Sequence, residues 1–189
     1  MLDRIRGLVE RLDAQGAFAA APEILATAGG SALFDRVAER LRFAAPLSRP
    51  VRVVLRSGCY LTHDDGAYAG VSPLPALRPA FELWARTLSC PEPGLAIAGF
   101  GKRDAPYDLG LPVVREVRRA AADATAVDGL RVEALNDQHA FIRDPPGALR
   151  VGDVLVCGIS HPCTAFDKWS LIPLLDDRDV VAGAIRTLF

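Results

Sequence analysis

The chain has only two lysines, Lys102 and Lys168, and one methionine, Met1. Net charge is nearly absent: 22 basic against 23 acidic side chains leave −1 at pH 7. A nucleic-acid binder presents a basic stripe, so no nucleic-acid partner is expected. Long apolar runs are missing as well. The longest, such as residues 17–22, fall far short of the roughly 18 apolar residues that mark a membrane span, so no membrane partner is expected. The opening Met1-Leu2-Asp3-Arg4-Ile5-Arg6 leads into no apolar signal core, which makes a reducing cytoplasm the expected compartment. Cysteine is scarce, at Cys59, Cys90, Cys157 and Cys163; in such a compartment thiols or ligands are expected rather than a disulfide framework. No internal repeat is visible. What is there is a chain that is 50% hydrophobic and 24% charged, enough for a packed core. Its 189 residues make one domain or two small ones, at about 150 residues per domain.

The style changes partway. Leu2, Ile5, Leu8, Val9 and Leu12 recur at helical spacing, and Gly16 is a natural stop. Residues 23–28 are short and apolar and read as a buried strand. Leu33, Phe34, Val37, Ala38 and Leu41 mark a second helix over 33–41, and the β-branched run 51–56 a second strand. Strand, helix, strand is a βαβ unit, so the two strands should be parallel. After Tyr60 the prolines multiply, among them Pro73, Pro91, Pro106, Pro145 and Pro146. Strand-like pieces lie between them at 81–87, 95–98, 113–117, 130–135, 138–142 and 154–159, with 180–188 a strand or a short helix. Short strands and frequent turns predict an antiparallel sheet or barrel.

Four constellations carry possible chemistry. Gly29-Gly30-Ser31 sits between strand and helix, where backbone N–H groups suit a phosphate, or where Ser31 simply caps the helix. Arg56-Ser57-Gly58-Cys59-Tyr60 follows the next strand, at the end where βα barrels place functional groups. The polar cluster His63-Asp64-Asp65 comes after it, either catalytic or a solvated turn. In His161-Pro162-Cys163, strand geometry would put His161 and Cys163 on one face, where an imidazole and a thiolate favour zinc over magnesium or calcium. His139, 22 residues upstream, could add a third ligand or a base. Gly99-Phe100-Gly101-Lys102 lacks the spacing of a phosphate loop and reads as an ordinary loop.

Taken together, these motifs resemble the D-serine dehydratase and D-threonine aldolase family, pyridoxal-phosphate enzymes of the alanine racemase fold type. The resemblance runs through Ala28-Gly29-Gly30-Ser31, the stretch 56–64, the stretch 101–112, Leu135-Asn136-Asp137-Gln138-His139 and His161-Pro162-Cys163. It implies an α+β chain: the last two βα units of a TIM-type barrel over residues 1–60, then an antiparallel, alanine racemase C-terminal-like β domain over 61–189.

On that pattern Gly29, Gly30 and Ser31 would hold the phosphate of pyridoxal phosphate, with Cys59 and Tyr60 flanking it. His161 and Cys163 would hold zinc, and His139 or His63 would move protons as catalytic residues. The substrate implied is a small D-3-hydroxy amino acid. Aldolases of the family tend to carry a carboxylate where Cys163 stands and dehydratases a cysteine, which implies a D-serine dehydratase that releases ammonia. The alternatives are a D-threonine aldolase-like lyase, a non-catalytic metal-binding fragment, or half of a split enzyme. The family's cofactor-bearing lysine sits early in the barrel, and Lys102 and Lys168 both map to the β domain. A fragment is therefore expected, either homodimeric or completed by a missing barrel half.

Overall fold

The computed structural model describes residues 1–119, 125–126, 128–145 and 147–188, so the turn-former Pro146 lies outside the described residues. They form two compact units, Met1–Leu61 with Val71–Pro75, and Thr62–Gly70 with Ala76–Phe189.

The first unit opens with α1 (Leu2–Ala14), which ends where Gly16 turns to φ 75°. Strands β1 (Ile24–Gly29) and β2 (Val51–Arg56) pair in parallel from Ile24↔Val51 to Gly29↔Arg56, as the βαβ pattern predicts. The helix expected over 33–41 is shorter. Ser31–Leu33 is a 3-10 turn, and α2 proper runs over Phe34–Arg40. In the tighter turn the side chains rotate off the helical stripe, so Leu33 is left exposed while Phe34, Val37 and Leu41 are buried. The apolar side chains gather into two small clusters, one around Val9, Ile24 and Ala26, the other around Ala28, Val37 and Leu41. Leu25 and Val54, on the opposite face of the strand pair, stay exposed. A one-turn helix, α3 (Cys59–Thr62), follows β2; sequence periodicity gives no sign of so short an element.

The second unit is built on six antiparallel strands: β3 (Glu82–Glu92), β4 (Leu95–Ala98), β5 (Val113–Arg118), β6 (Arg131–Leu135), β7 (Ala140–Arg143) and β8 (Val154–Gly158). Their order across the sheet is β5-β8-β3-β4-β7-β6. Strand β3 is longer than the predicted 81–87. Its first half pairs with β8 through Glu82↔Gly158 to Arg86↔Val154, and its second half with β4, across a register shift after Thr87. Pro91 therefore lies inside the strand, at an end that β8 does not pair, where a missing N–H does no harm. Along β3 the inward residues Leu83, Ala85 and Thr87 alternate with outward ones, the period-2 mark of a half-buried strand. Strand β8 sits between β5 and β3 and is buried from Leu155 onward. Gln138 and His139, expected in a strand, belong instead to the β6–β7 turn, closed by the Asn136 N–H on the His139 carbonyl at 2.8 Å. Strands β9 (Leu171–Leu175) and β10 (Val181–Arg186) form a separate antiparallel pair. This settles the C-terminal ambiguity as a strand and adds one, with Pro173 inside it paired to Ala184, that the pattern did not show. One continuous core includes Leu83, Phe100, Ile142 and Leu155.

Candidate functional site

In the first unit the motif residues collect at the C-terminal ends of β1 and β2. A Cβ on Gly29 would lie 2.0 Å from the Arg56 carbonyl oxygen, so only glycine lets the two strand ends approach this closely. Gly30 holds φ 134°, a conformation that disfavours any side chain, with open space above its Cα. Ser31 begins the 3-10 turn. At the end of β2 the Ser57 hydroxyl is buried without a hydrogen-bond partner. A buried hydroxyl left unpaired is costly unless something fills the gap. The Arg56 Nε donates to Thr27 Oγ1 at 2.9 Å, tying the strand ends together. Tyr60 stacks on Phe34 with ring centroids 4.6 Å apart, and Cys59 opens α3 beside it. A glycine surface open at Gly30 and an orphaned hydroxyl at Ser57 fit an anionic group such as a cofactor phosphate.

In the second unit the strand premise for His161 and Cys163 fails. Strand β8 ends at Gly158, and Pro162–Thr164 is a 3-10 turn with His161 as its N-cap. Pro162 fixes the turn, since its ring presets φ and its nitrogen has no hydrogen to lose. His161 precedes the turn in an extended conformation and Cys163 lies inside it, so the two donors do not share a strand face. Cys163 is exposed and His161 partly so. The His161 Nδ1 lies 2.6 Å from Asp108 Oδ2, and the Thr164 hydroxyl donates to Asp108 Oδ1 at 3.1 Å. A carboxylate only accepts, so Nδ1 carries a proton, and in the neutral ring Nε2 is the nitrogen with the lone pair. Burial raises the Asp108 carboxyl; hydrogen bonds from His161, its own backbone and Thr164, with the His161 charge, outweigh this and hold it below the ordinary value of 3.8. Two further bonds stitch the Asp108 loop to the His161 loop: the Ser160 hydroxyl on the Gly110 carbonyl, and Trp169 Nε1 on the Asp104 carbonyl at 2.8 Å. An imidazole with one nitrogen anchored and an exposed thiol two residues along are donor types that fit a metal held by two protein ligands with positions left open. Among the described residues His139 forms no group of three or more metal-binding side chains with His161 and Cys163.

The other predicted residues are scattered. His63 is buried at φ 54°, with Nδ1 donating to the Asp64 carbonyl at 2.9 Å and its ring edge-on to Tyr68. Asp64 is buried too, its Oδ1 accepting the N–H groups of Gly66 and Tyr68 at 2.9 and 2.8 Å. The solvated-turn reading of this cluster is therefore overturned. Asp65 pairs with Arg115, through Nε to Oδ1 at 3.0 Å and Nη2 to Oδ2 at 2.5 Å, and a Cβ on Gly158 would displace this pair. His139 is exposed, in a shallow polar depression of about 410 Å³ shared with Lys102 and Asn136. Lys102 and Lys168 each hold their ammonium 5.7 Å from the Tyr107 ring centroid. Sequence reasoning gave no role to Asp108 or Thr164, and it named Ser57 only as part of the run that follows the second strand. Asp108 lies within the motif stretch 101–112, but nothing in its spacing points to a histidine 53 residues away.

No curated protein sequence matches the chain. Among solved structures it is similar to the D-threonine aldolase from Filomicrobium marinum, at 21% identity over 70% of this chain and 35% of that one, with a TM-score of 0.58. It is also similar to the D-threo-3-hydroxyaspartate dehydratase from Delftia sp. HT23, at 18% identity over all of this chain and 52% of that one, with a TM-score of 0.60. For a dehydratase of that name a cysteine-to-alanine mutant is described in the metal-free form. An alanine racemase-like protein from Idiomarina loihiensis matches at 15% identity over 74% of this chain and 39% of that one, with a TM-score of 0.52. These likenesses show the fold, the α+β C-terminal part of the alanine racemase type. The chain spans about half, or less, of the length of the structures it matches. Among the described residues no helix is long and apolar enough to cross a membrane. Residues 80–175 match the model of the family described as the putative serine dehydratase domain, and the chain belongs to that family.

Proposed function

We propose that the chain is part of a pyridoxal-phosphate- and zinc-dependent lyase that removes water and then ammonia from a small D-3-hydroxy amino acid, as a D-serine dehydratase does. The observation that carries this reading is a His161 whose Nδ1 is anchored on Asp108, at the head of a 3-10 turn that holds an exposed Cys163 two residues on. The cysteine, rather than a carboxylate, favours dehydratase over aldolase. Pyridoxal phosphate, when bound, would supply an electron sink for the substrate α-carbon, and zinc a Lewis acid for its β-hydroxyl.

The chain's own residues would do the following. Gly29, Gly30 and Ser31 would accept the phosphate, with Ser57 donating its unpaired hydroxyl and Cys59 and Tyr60 at the rim. The stack of Tyr60 on Phe34 would keep that rim in place. His161 and Cys163 would orient the β-hydroxyl. Of the two histidines proposed to move protons, His139 is exposed to solvent, whereas His63 has Nδ1 occupied and keeps only Nε2 for such a role. The reading takes the cofactor-bearing lysine from outside residues 1–61, which contain none. Both of the chain's lysines lie over Tyr107 in the second unit.

The test is to assay the purified chain, with pyridoxal phosphate and zinc supplied, for ammonia and keto acid from D-serine and D-threo-3-hydroxyaspartate. A parallel sample is trapped with borohydride and mapped by mass spectrometry. Acetaldehyde from D-threonine, with no ammonia from any substrate, would replace the dehydratase reading with the aldolase one. A stoichiometric trapped adduct on Lys102 or Lys168 would overturn the assignment of the lysine.

A further inference from the structure

We infer that Asp108 is a positioning residue that sets both metal donors at once, an inference that rests on the reading of His161 and Cys163 as ligands. One carboxylate spans the turn on both sides of Cys163. Its Oδ2 takes the His161 Nδ1 at 2.6 Å, and its Oδ1 takes the Thr164 hydroxyl at 3.1 Å. His161 is the N-cap of the turn and Thr164 its last residue. Cys163 lies between the two anchored residues, so fixing both ends limits where its sulfur can point.

The first bond also has an electronic consequence. It places the imidazole proton on Nδ1, leaves Nε2 as the ligating atom and makes that nitrogen more basic. A carboxylate behind a metal-bound histidine does this in many metal sites, and losing it weakens metal affinity by about 10–100-fold. The Asp108 loop is itself tied to the His161 loop at Gly110 and Asp104, so the carboxylate arrives on a braced segment.

The experiment uses the full chain with zinc and cobalt(II) as probes. Zinc affinity is measured by competition with a chromophoric chelator. Cobalt(II) loading is followed by the thiolate-to-metal charge-transfer band in the near ultraviolet. Asp108→Ala should weaken zinc binding by about 10–100-fold and shift or bleach the cobalt band. Asp108→Asn keeps an acceptor oxygen but no charge, and should lose less. Thr164→Val should alter the cobalt band with only a few-fold loss of affinity. Nitrogen-15 NMR of His161 in the metal-free protein should show the Nδ1–H tautomer, a readout that needs no variant to fold. A wild-type chain that binds neither metal would overturn the ligand reading and this inference with it. Wild-type binding with equal affinity and an equal band in Asp108→Ala, or an Nε2–H tautomer, would overturn the inference alone.

Discussion

The second unit gathers its apolar side chains into one cluster around Phe100, Ile142 and Leu155, while the first divides its few between a Val9–Ile24 group and a Val37–Leu41 group. The difference follows from strand pairing. Antiparallel strands joined by short turns, such as β3–β4 and β6–β7, close a sheet locally and bury one face of it. A parallel pair needs a crossover, and parallel sheets are stable when both faces are covered. Here β1 and β2 have helices within their unit for one face, and Leu25 and Val54 stand exposed on the other. Two strands alone make a marginal sheet. The candidate metal turn thus belongs to the unit with the larger core, and the candidate phosphate surface to the unit with the smaller.

The sharpest way to break this comparison is to remove core from the second unit. Phe100 is 1% exposed, and Phe100→Ala should cost about 3–5 kcal/mol. Both tryptophans, Trp84 and Trp169, lie in that unit, so the loss should appear in denaturant unfolding followed by tryptophan fluorescence. An equal shift from Val37→Ala would show that the two cores do not differ as described.

Glycine substitutions give a smaller effect. A Cβ on Gly101 would meet the Asn136 carbonyl oxygen at 2.3 Å and the Asp137 backbone at 2.5 Å, so Gly101→Ala should destabilise by about 1–3 kcal/mol through forced backbone shifts. Gly58 in the first unit has nothing within 4 Å, and Gly58→Ala should be neutral to slightly stabilising. Thermal melts of the two variants would order them; the reverse order contradicts the packing.

Amide exchange compares the units directly. Strands Ile24–Gly29 and Val51–Arg56 should exchange faster than Val154–Gly158, the strand flanked by β5 and β3. Equal protection in dilute protein would mean that the first unit completes its packing by itself.

Thiol chemistry separates two cysteines of the second unit. Burial pushes the Cys157 thiol up to about 12, with Arg115 pulling weakly the other way, so it should resist alkylation in the native state. Cys163 is exposed and should react, and zinc should slow it. Peptide mapping after a short iodoacetamide pulse reads both; a labelled Cys157 in folded protein would mean that the core opens.

The smallest effect is a pH effect in the first unit. Donation from the Ser48 hydroxyl and backbone N–H to Asp13, against slight burial, holds the Asp13 carboxyl below its ordinary value of 3.8. A lowered folded pKa means a contribution that is complete above 3.8 and lost as pH falls through the folded value. Exchange protection of Ile24–Gly29 should therefore weaken slightly below that pH, and less so in Asp13→Asn.

Legibility differed by feature as well as by region. Strand Leu95–Ala98 and strand Val51–Arg56 agree with their sequence patterns because composition and flanking turns act locally. The helix over 33–41 came out shorter because its first turn answers to Gly30, not to apolar spacing. Burial of His63 and Asp64 ran against their polarity, since the carbonyl of Asp64 and three local N–H groups, those of Gly66, Tyr68 and Ala69, supply the hydrogen bonds that make it tolerable.

By itself the amino-acid sequence determined the two styles of chain, the parallel order of the first two strands, and the motif residues Gly30, Ser31, His161 and Cys163. Those depend on periodicity, glycine and proline placement, and side-chain chemistry, all readable within a few residues. Only the tertiary structure decided that Pro162–Thr164 is a 3-10 turn with His161 as its N-cap, that Asp108 bonds His161 from 53 residues away, and that Arg115 clasps Asp65 across 50. Contacts of that separation are chosen by the burial and pairing of whole strands, a free energy that no short window of residues contains.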